Sequence, residues 1–316
     1  MNSTTCAKQP SKALIVDVTT RDGFQIVKDV IPSELKRKVL DGLINAGVSS
    51  LEIGSFVSPK AVPQMADTAA LVTYMLEKHP DVDFSVLAPN LRGAQNAKEN
   101  GVRKINYVIS ASAAHNEANI RRTHAESLAD LAAITEALPE LEVNLALATV
   151  FGCPFSGPIP TSASVDIIRK SLDRGAKSVL LADTIGVANP TQVKSVVRTV
   201  RDAFPDVPLR LHMHDTHGMG IANIAAALEE GIDAFETAAG GLGGCPFAPG
   251  AAGNTATEDA VNMLHRMGFD TGIDLDAYVA VVKLLRENVD APLPGRFSTA
   301  RSFKEFCFFD INEASC

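Results

Sequence analysis

At 316 residues, with 46% hydrophobic and 21% charged residues, the chain has the size and composition of one large globular domain, not of a disordered or fibrous protein. The formal charge of −8 is spread along it without a basic run, and no apolar window approaches the ~18 residues of a membrane span, so neither nucleic acid nor a membrane is an expected partner. Five widely separated cysteines, an odd number, point to reduced thiols, and residues 1–12 carry no leader-like pattern, so the expected location is cytoplasmic.

Apolar runs of strand length alternate with amphipathic stretches of helix length almost to the end of the chain. The first strand is predicted at 13–18 and its helix at 33–46. There follow strand 50–53 with helix 62–78, strand 84–88 with helix 91–100, and strand 104–109 with helix 117–137. The second half repeats the unit: 143–149 with 162–174, 178–182 with 190–204, 209–214 with 220–230, and 234–238 with 254–267. Pro32-Ser33 and Thr161-Ser162 are helix-start signals, and Gly101, Gly175, Gly231 and Gly268 stand where helices end. Eight βα units with right-handed crossovers predict the α/β class and a (β/α)8 TIM barrel. An open doubly wound sheet is the rival, but after the first strand stands Thr19-Thr20-Arg21-Asp22-Gly23 instead of a glycine-rich fingerprint. Residues 273–288 read as an extra C-terminal helix. A single catalytic barrel is expected over 1–290, with 291–316 as a tail.

Barrel active sites lie where the strands end, so reactive residue types there carry more weight than elsewhere. In chain order these are Arg21 and Asp22, Glu52, Asp183, the group His212, His214, Asp215 and His217, and then Cys245 and Asn254. His212 and His214 are two apart on a predicted strand, so their imidazoles project from one face. In a closed barrel the seventh strand lies two places from the first, within reach of Asp22, and two imidazoles with a carboxylate make a divalent-metal site. Taken alone, the pair fits cleft histidines bonded to carboxylates equally well, and Arg21 fits a local ion pair with Asp22 or Glu52. Cys245 sits in the glycine-rich stretch from Gly240 to Gly253, suited to closing over a ligand and to proton transfer. Cys153, in a second Gly-Cys-Pro-Phe, competes with it for that role.

Together these residues resemble the 3-hydroxy-3-methylglutaryl-CoA lyases, within the barrel group of metal-dependent lyases and condensing enzymes. The resemblance runs from Val16 to about Leu275. It rests on Arg21-Asp22-Gly23 with Gln25, Ser55-Phe56-Val57-Ser58-Pro59-Lys60, Gly152-Cys153-Pro154, Asp183-Thr184-Ile185-Gly186, His212-Met213-His214-Asp215-Thr216, and Gly253-Asn254. It implies a Mg2+ or Mn2+ ion, with Zn2+ also compatible, on Asp22, His212, His214 and Asn254. It further implies that Arg21 polarises the thioester carbonyl, that Glu52 and Asp183 orient it and the residues behind it, and that Cys245, not Cys153, serves in proton transfer.

The implied reaction is retro-Claisen cleavage of a 3-hydroxyacyl-CoA to acetyl-CoA and acetoacetate, with Arg21 facing the enolate oxygen. Two departures lie beside the site and bear on the acyl substituent: Asp17-Val18-Thr19-Thr20 replaces the usual Glu-Val-Gly-Pro, and His217 stands where tyrosine is frequent. A longer or branched 3-substituent, or citramalyl-CoA, is the alternative substrate; a condensing synthase joining acetyl-CoA to a 2-oxo acid is the alternative reaction. An acyl-CoA is thus the expected partner, with Lys28 and Lys60, and also Arg121 and Arg122, as cations for its phosphates. A homodimer or higher homo-oligomer is expected. Glu258 and Asp259 follow Asn254 in the first turn of a helix, where negative charge offsets the helix dipole.

Overall fold

The computed structural model describes residues 11–244 and 253–300, and in it eight parallel strands close into a barrel. A short strand β1 (Ser11–Lys12) precedes them. The barrel strands are β2 (Leu14–Asp17), β3 (Ser50–Ser55), β4 (Asp83–Leu87), β5 (Lys104–Ser110), β6 (Glu142–Ala148), β7 (Val179–Asp183), β8 (Leu209–Met213) and β9 (Ala234–Thr237). Closure is through β9 and β2, in register from Leu14 opposite Ala234 to Asp17 opposite Thr237.

The helices are α1 (Ser33–Asn45), α2 (Thr68–Lys78), α3 (Leu91–Glu99), α4 (Ala113–Ile120), α5 (His124–Ala137), α6 (Thr161–Leu172), α7 (Pro190–Ala203), α8 (Gly220–Glu229), α9 (Thr257–Arg266) and α10 (Leu275–Asn288). Alternation along each strand sends one set of side chains outward to them. On β5 the outward set is Ile105, Tyr107 and Ile109, fully buried, with the Tyr107 hydroxyl donating to Ser127 O of α5 at 3.0 Å. The inward set contains Asn106, whose amide donates to Glu52 Oε1 at 2.7 Å across the barrel interior. Among the described residues, no helix is long and apolar enough to cross a membrane.

Most boundaries shift by a residue or two, and three helices differ more substantially from those expected. Residues 117–137 are not one helix: Ser112 caps α4 by accepting from His115 N at 3.2 Å, Arg121 ends it at φ 55°, and a Thr123–Glu126 capping box starts α5. The stretch 62–78 begins with a 3-10 turn at Pro63–Met65 before α2. The last barrel helix begins at Thr257 rather than 254, because residues 253–255 extend the end of β8: Asp215 N donates to Gly253 O and Thr255 N to Met213 O, each at 3.0 Å. A small sheet was not anticipated either, since β1 pairs with β10 (Phe269–Asp270), strands too short to show a period.

The expected extra helix is present as α10, burying Tyr278, Val281, Val282 and Leu285 at helical spacing. Residues beyond it fold back to the rim: Gly295 N donates to Gly240 O at 2.9 Å, and Phe297 N to Asp259 Oδ1 at 2.7 Å. Asp259 therefore holds this returning segment, whereas Glu258 is buried and accepts from Gly240 N at 2.9 Å.

Burial pushes the Glu258 carboxyl from an ordinary 4.5 up to about 7. The folded chain then binds this proton more tightly than the unfolded one, so its contribution to stability is full below pH ~4.5 and is lost as pH rises through about 7. At ~1.4 kcal/mol per pKa unit, the loss is a few kcal/mol. Glu258→Gln should flatten the urea midpoint between pH 4.5 and 8; a mutant with the same pH slope as the parent would refute this assignment.

Candidate metal centre and cavity

Strand β2 ends in a five-residue π-helical turn, Thr19–Gly23, which presents Arg21 and Asp22 at the barrel mouth. The turn is pinned at both sides. Asp17 Oδ1 accepts from Thr19 N at 2.9 Å, Ala239 N donates to Thr19 Oγ1 at 2.8 Å, and the Tyr278 hydroxyl of α10 donates to Asp17. The first of the two sequence departures is thus part of the scaffold that fixes the turn.

Asp22, His212 and His214 converge so that one ligand atom from each lies within 4.8 Å of the other two. Asp22 Oδ2 is 4.0 Å from His212 Nε2 and 3.8 Å from His214 Nε2. His212 turns its other nitrogen to Glu236 Oε2 on β9, at 3.0 Å. A proton on that Nδ1 leaves the Nε2 lone pair facing Asp22, the arrangement by which a carboxylate prepares an imidazole for a metal. Asn254 joins through a bridge to His214, with its Nδ2 2.8 Å from Asp22 Oδ2. Its buried Oδ1 has no hydrogen-bond partner among the described residues.

These residues fit a divalent cation. Three hard or borderline donors lie together, a fourth oxygen is unsatisfied nearby, and among the described residues three carboxylates, Asp22, Glu52 and Glu236, pair with two guanidiniums, Arg21 and Arg210. Burial opposes the ionisation of Asp22, but Arg21 and the two histidines outweigh it and hold the carboxyl well below the usual range. For Arg21, burial likewise opposes the charge, and Glu52, Asp22 and Glu236 more than restore it. Glu52 moves the other way: burial pushes it up, and the repulsion of Glu236 adds to this against the pull of Arg21.

Arg21 forms short ion pairs with both Asp22 and Glu52 and lines a cavity of about 580 Å3 that opens at the mouth. His212, His214 and Asp22 line it as well. Glu52 is therefore the residue that orients Arg21. Asp183 makes no hydrogen bond or ion pair with the arginine; its carboxylate accepts from Val187 N and Ala188 N, each at 3.0 Å, and shapes the turn after β7.

Lys28 and Lys60 stand exposed and are not part of the cavity lining; Arg121 and Arg122 are. The left-handed Arg121 that breaks the expected helix is what carries Asn119 to Arg122 to the rim. Cys245 lies outside the described residues, one position beyond the lining residue Gly244. Cys153 is buried, with its sulfur 3.0 Å from Ser112 Oγ, and does not line the cavity. His217 is exposed and likewise absent from the lining.

Two participants were not singled out in the sequence. Glu236 lies in the apolar strand Ala234–Thr237, where a lone carboxylate on an inward position was the available signal, and Asn106 on β5 holds Glu52.

The HMGL-like family model matches residues 12–285. The chain is 40% identical over 291 residues to a Chloroflexus aurantiacus (R)-citramalyl-CoA lyase, covering 89% of this chain and 92% of the relative. A Bacillus subtilis hydroxymethylglutaryl-CoA lyase is 38% identical over 289 residues, with 91% and 96% covered. Among solved structures, an HMG-CoA lyase from Acinetobacter baumannii in complex with coenzyme A and 3-methylmalate superposes with a TM-score of 0.88 at 40% identity, covering 93% of this chain and 96% of that one.

Proposed function

The chain belongs to the HMGL-like family, and from that membership we propose that it cleaves a 3-hydroxy-3-methylglutaryl-CoA-type thioester to acetyl-CoA and a 3-oxo acid such as acetoacetate. The observation that carries this is the meeting of Asp22, His212 and His214 within 4.8 Å beside a buried arginine, all facing one cavity.

A divalent ion, Mg2+ or Mn2+ ahead of Zn2+, would be held by Asp22, His212, His214 and Asn254 and would supply Lewis-acid polarisation of the substrate hydroxyl and its neighbouring oxygen. The protein's own residues do the rest. Arg21, fixed by Glu52, presents a guanidinium to the oxygen of the departing acetyl-CoA enolate, where negative charge develops as the carbon-carbon bond breaks. Glu236 holds His212 in its tautomer, and Asn106 holds Glu52. Asp183 positions the turn that carries the lining residue Thr184. Cys245 is assigned proton transfer to or from the substrate. Arg121 and Arg122, in place of Lys28 and Lys60, are the cations offered to CoA phosphates at the rim. We further propose a cytoplasmic location and a homo-oligomeric state.

A second reading, cleavage of citramalyl-CoA, is favoured by the 40% identity to an (R)-citramalyl-CoA lyase. The test is acetyl-CoA release from both thioesters before and after chelation, with Mg2+, Mn2+ or Zn2+ added back. Chelation should lower the rate at least a hundredfold and add-back restore it, with the preferred thioester deciding between the two readings. Full activity in the chelated protein would overturn the metal-dependent lyase assignment.

A further inference from the structure

The cavity has two unlike walls. One carries Arg21, Asp22, His212 and His214. The other is built by β4 to β7 from Leu87, Val108, Ala146, Ala148, Leu180 and Ala182. On β5 and β6 the alternation that sends Tyr107, Leu145 and Leu147 outward turns Val108, Ala146 and Ala148 inward. Register sets their depth. Ala182 pairs with His212, whereas Val108, Ala146 and Leu180 pair with one another in the row of Arg210, one layer beneath His212. Leu87, Val108, Ala146, Ala148 and Ala182 all retain partial exposure inside a closed barrel, so small side chains leave space there.

We propose that this wall is a subsite for the substituent on the hydroxyl-bearing carbon, and that it takes an alkyl or alkenyl group several carbons longer than methyl. The inference rests on the lyase reading and names its substrate class. Ser58 and Arg121 line the cavity beyond the ends of β3 and β5, at the mouth, so a CoA arm directed there leaves the layer beneath His212 to the acyl unit. A carboxylate there would lose its hydration against alanine and leucine, and Arg210 does not line the cavity to partner it. Arg210, in the same row, faces Glu236 at 3.9 Å and Asn106 Oδ1 at 3.5 Å. Each methylene buried on this wall is a factor of about four in binding.

The experiment compares kcat/KM for 3-hydroxy-3-methylglutaryl-CoA and its 3-pentyl homologue with the metal-loaded enzyme. It also compares, by calorimetry, binding of the matching products, acetoacetate and 3-oxooctanoate. The homologue should lead by at least tenfold and its product should bind tighter. Ala146→Leu, and independently Ala148→Val, should each lower the homologue-to-methyl ratio tenfold or more by filling the space. A parent enzyme that prefers the methyl substrate, or a ratio that neither variant moves, overturns the subsite while leaving the lyase reading standing. Failure to release acetyl-CoA from either thioester overturns both.

Discussion

Arg21→Met is expected to lower kcat for acetyl-CoA release by roughly two to three orders of magnitude, the usual effect of removing one preorganised group from a developing oxyanion. The side chain is almost fully buried, and its geometry is imposed by Asp22 on one side and Glu52 on the other. Its loss has a second consequence. Glu52 keeps only the Asn106 amide against the charge of Glu236, and an uncompensated buried carboxylate costs on the order of 3–5 kcal/mol. The single mutant therefore mixes a chemical and a structural defect. Arg21→Met with Glu52→Gln separates them: thermal stability should recover, and kcat should not. If Arg21→Met alone kept kcat within threefold of the parent, the arginine would have no part in the chemistry.

The barrel was legible because its determinants are local and periodic. Strands such as 104–109 and 143–149 are long, mainly apolar runs, and glycines such as Gly101 and Gly175 sit at positive φ where helices turn back. What failed to show was decided by single side chains. The break between α4 and α5 depends on Arg121 entering the left-handed region and on Thr123 finding Glu126, against a helical pattern that runs straight through. That break is what brings Arg121 and Arg122 to the cavity, whereas Lys28 and Lys60 looked well placed from their loops alone.

The ligand triad was legible for a different reason. Parity on β8 puts His212 and His214 on one face, and barrel closure brings the end of β2 around to meet them. Glu236 was not, because nothing in Ala-Phe-Glu-Thr says which neighbour its carboxylate meets. The register of β9 against β8, with Glu236 opposite His212, decides that.

That register makes Glu236→Gln the most informative change behind the metal ligands. Loss of a carboxylate behind a ligating imidazole weakens metal affinity by about 10- to 100-fold, and excess metal should restore activity. The same carboxylate also sets the pH dependence. Burial opposes a charged His212, but the hydrogen bond that its Nδ1 donates to Glu236 and the charge of Asp22 outweigh it and raise the imidazole above its ordinary value. The incoming ion must therefore displace a proton, so affinity falls as pH is lowered through that raised pKa. In Glu236→Gln burial dominates and the imidazole titrates lower, so metal binding should be weaker at pH 8 yet lose less on going to pH 6. Calorimetry in buffers of different ionisation enthalpy reads both the dissociation constant and the protons released. A mutant that binds the ion as tightly as the parent and releases as many protons would show that Glu236 does not govern His212.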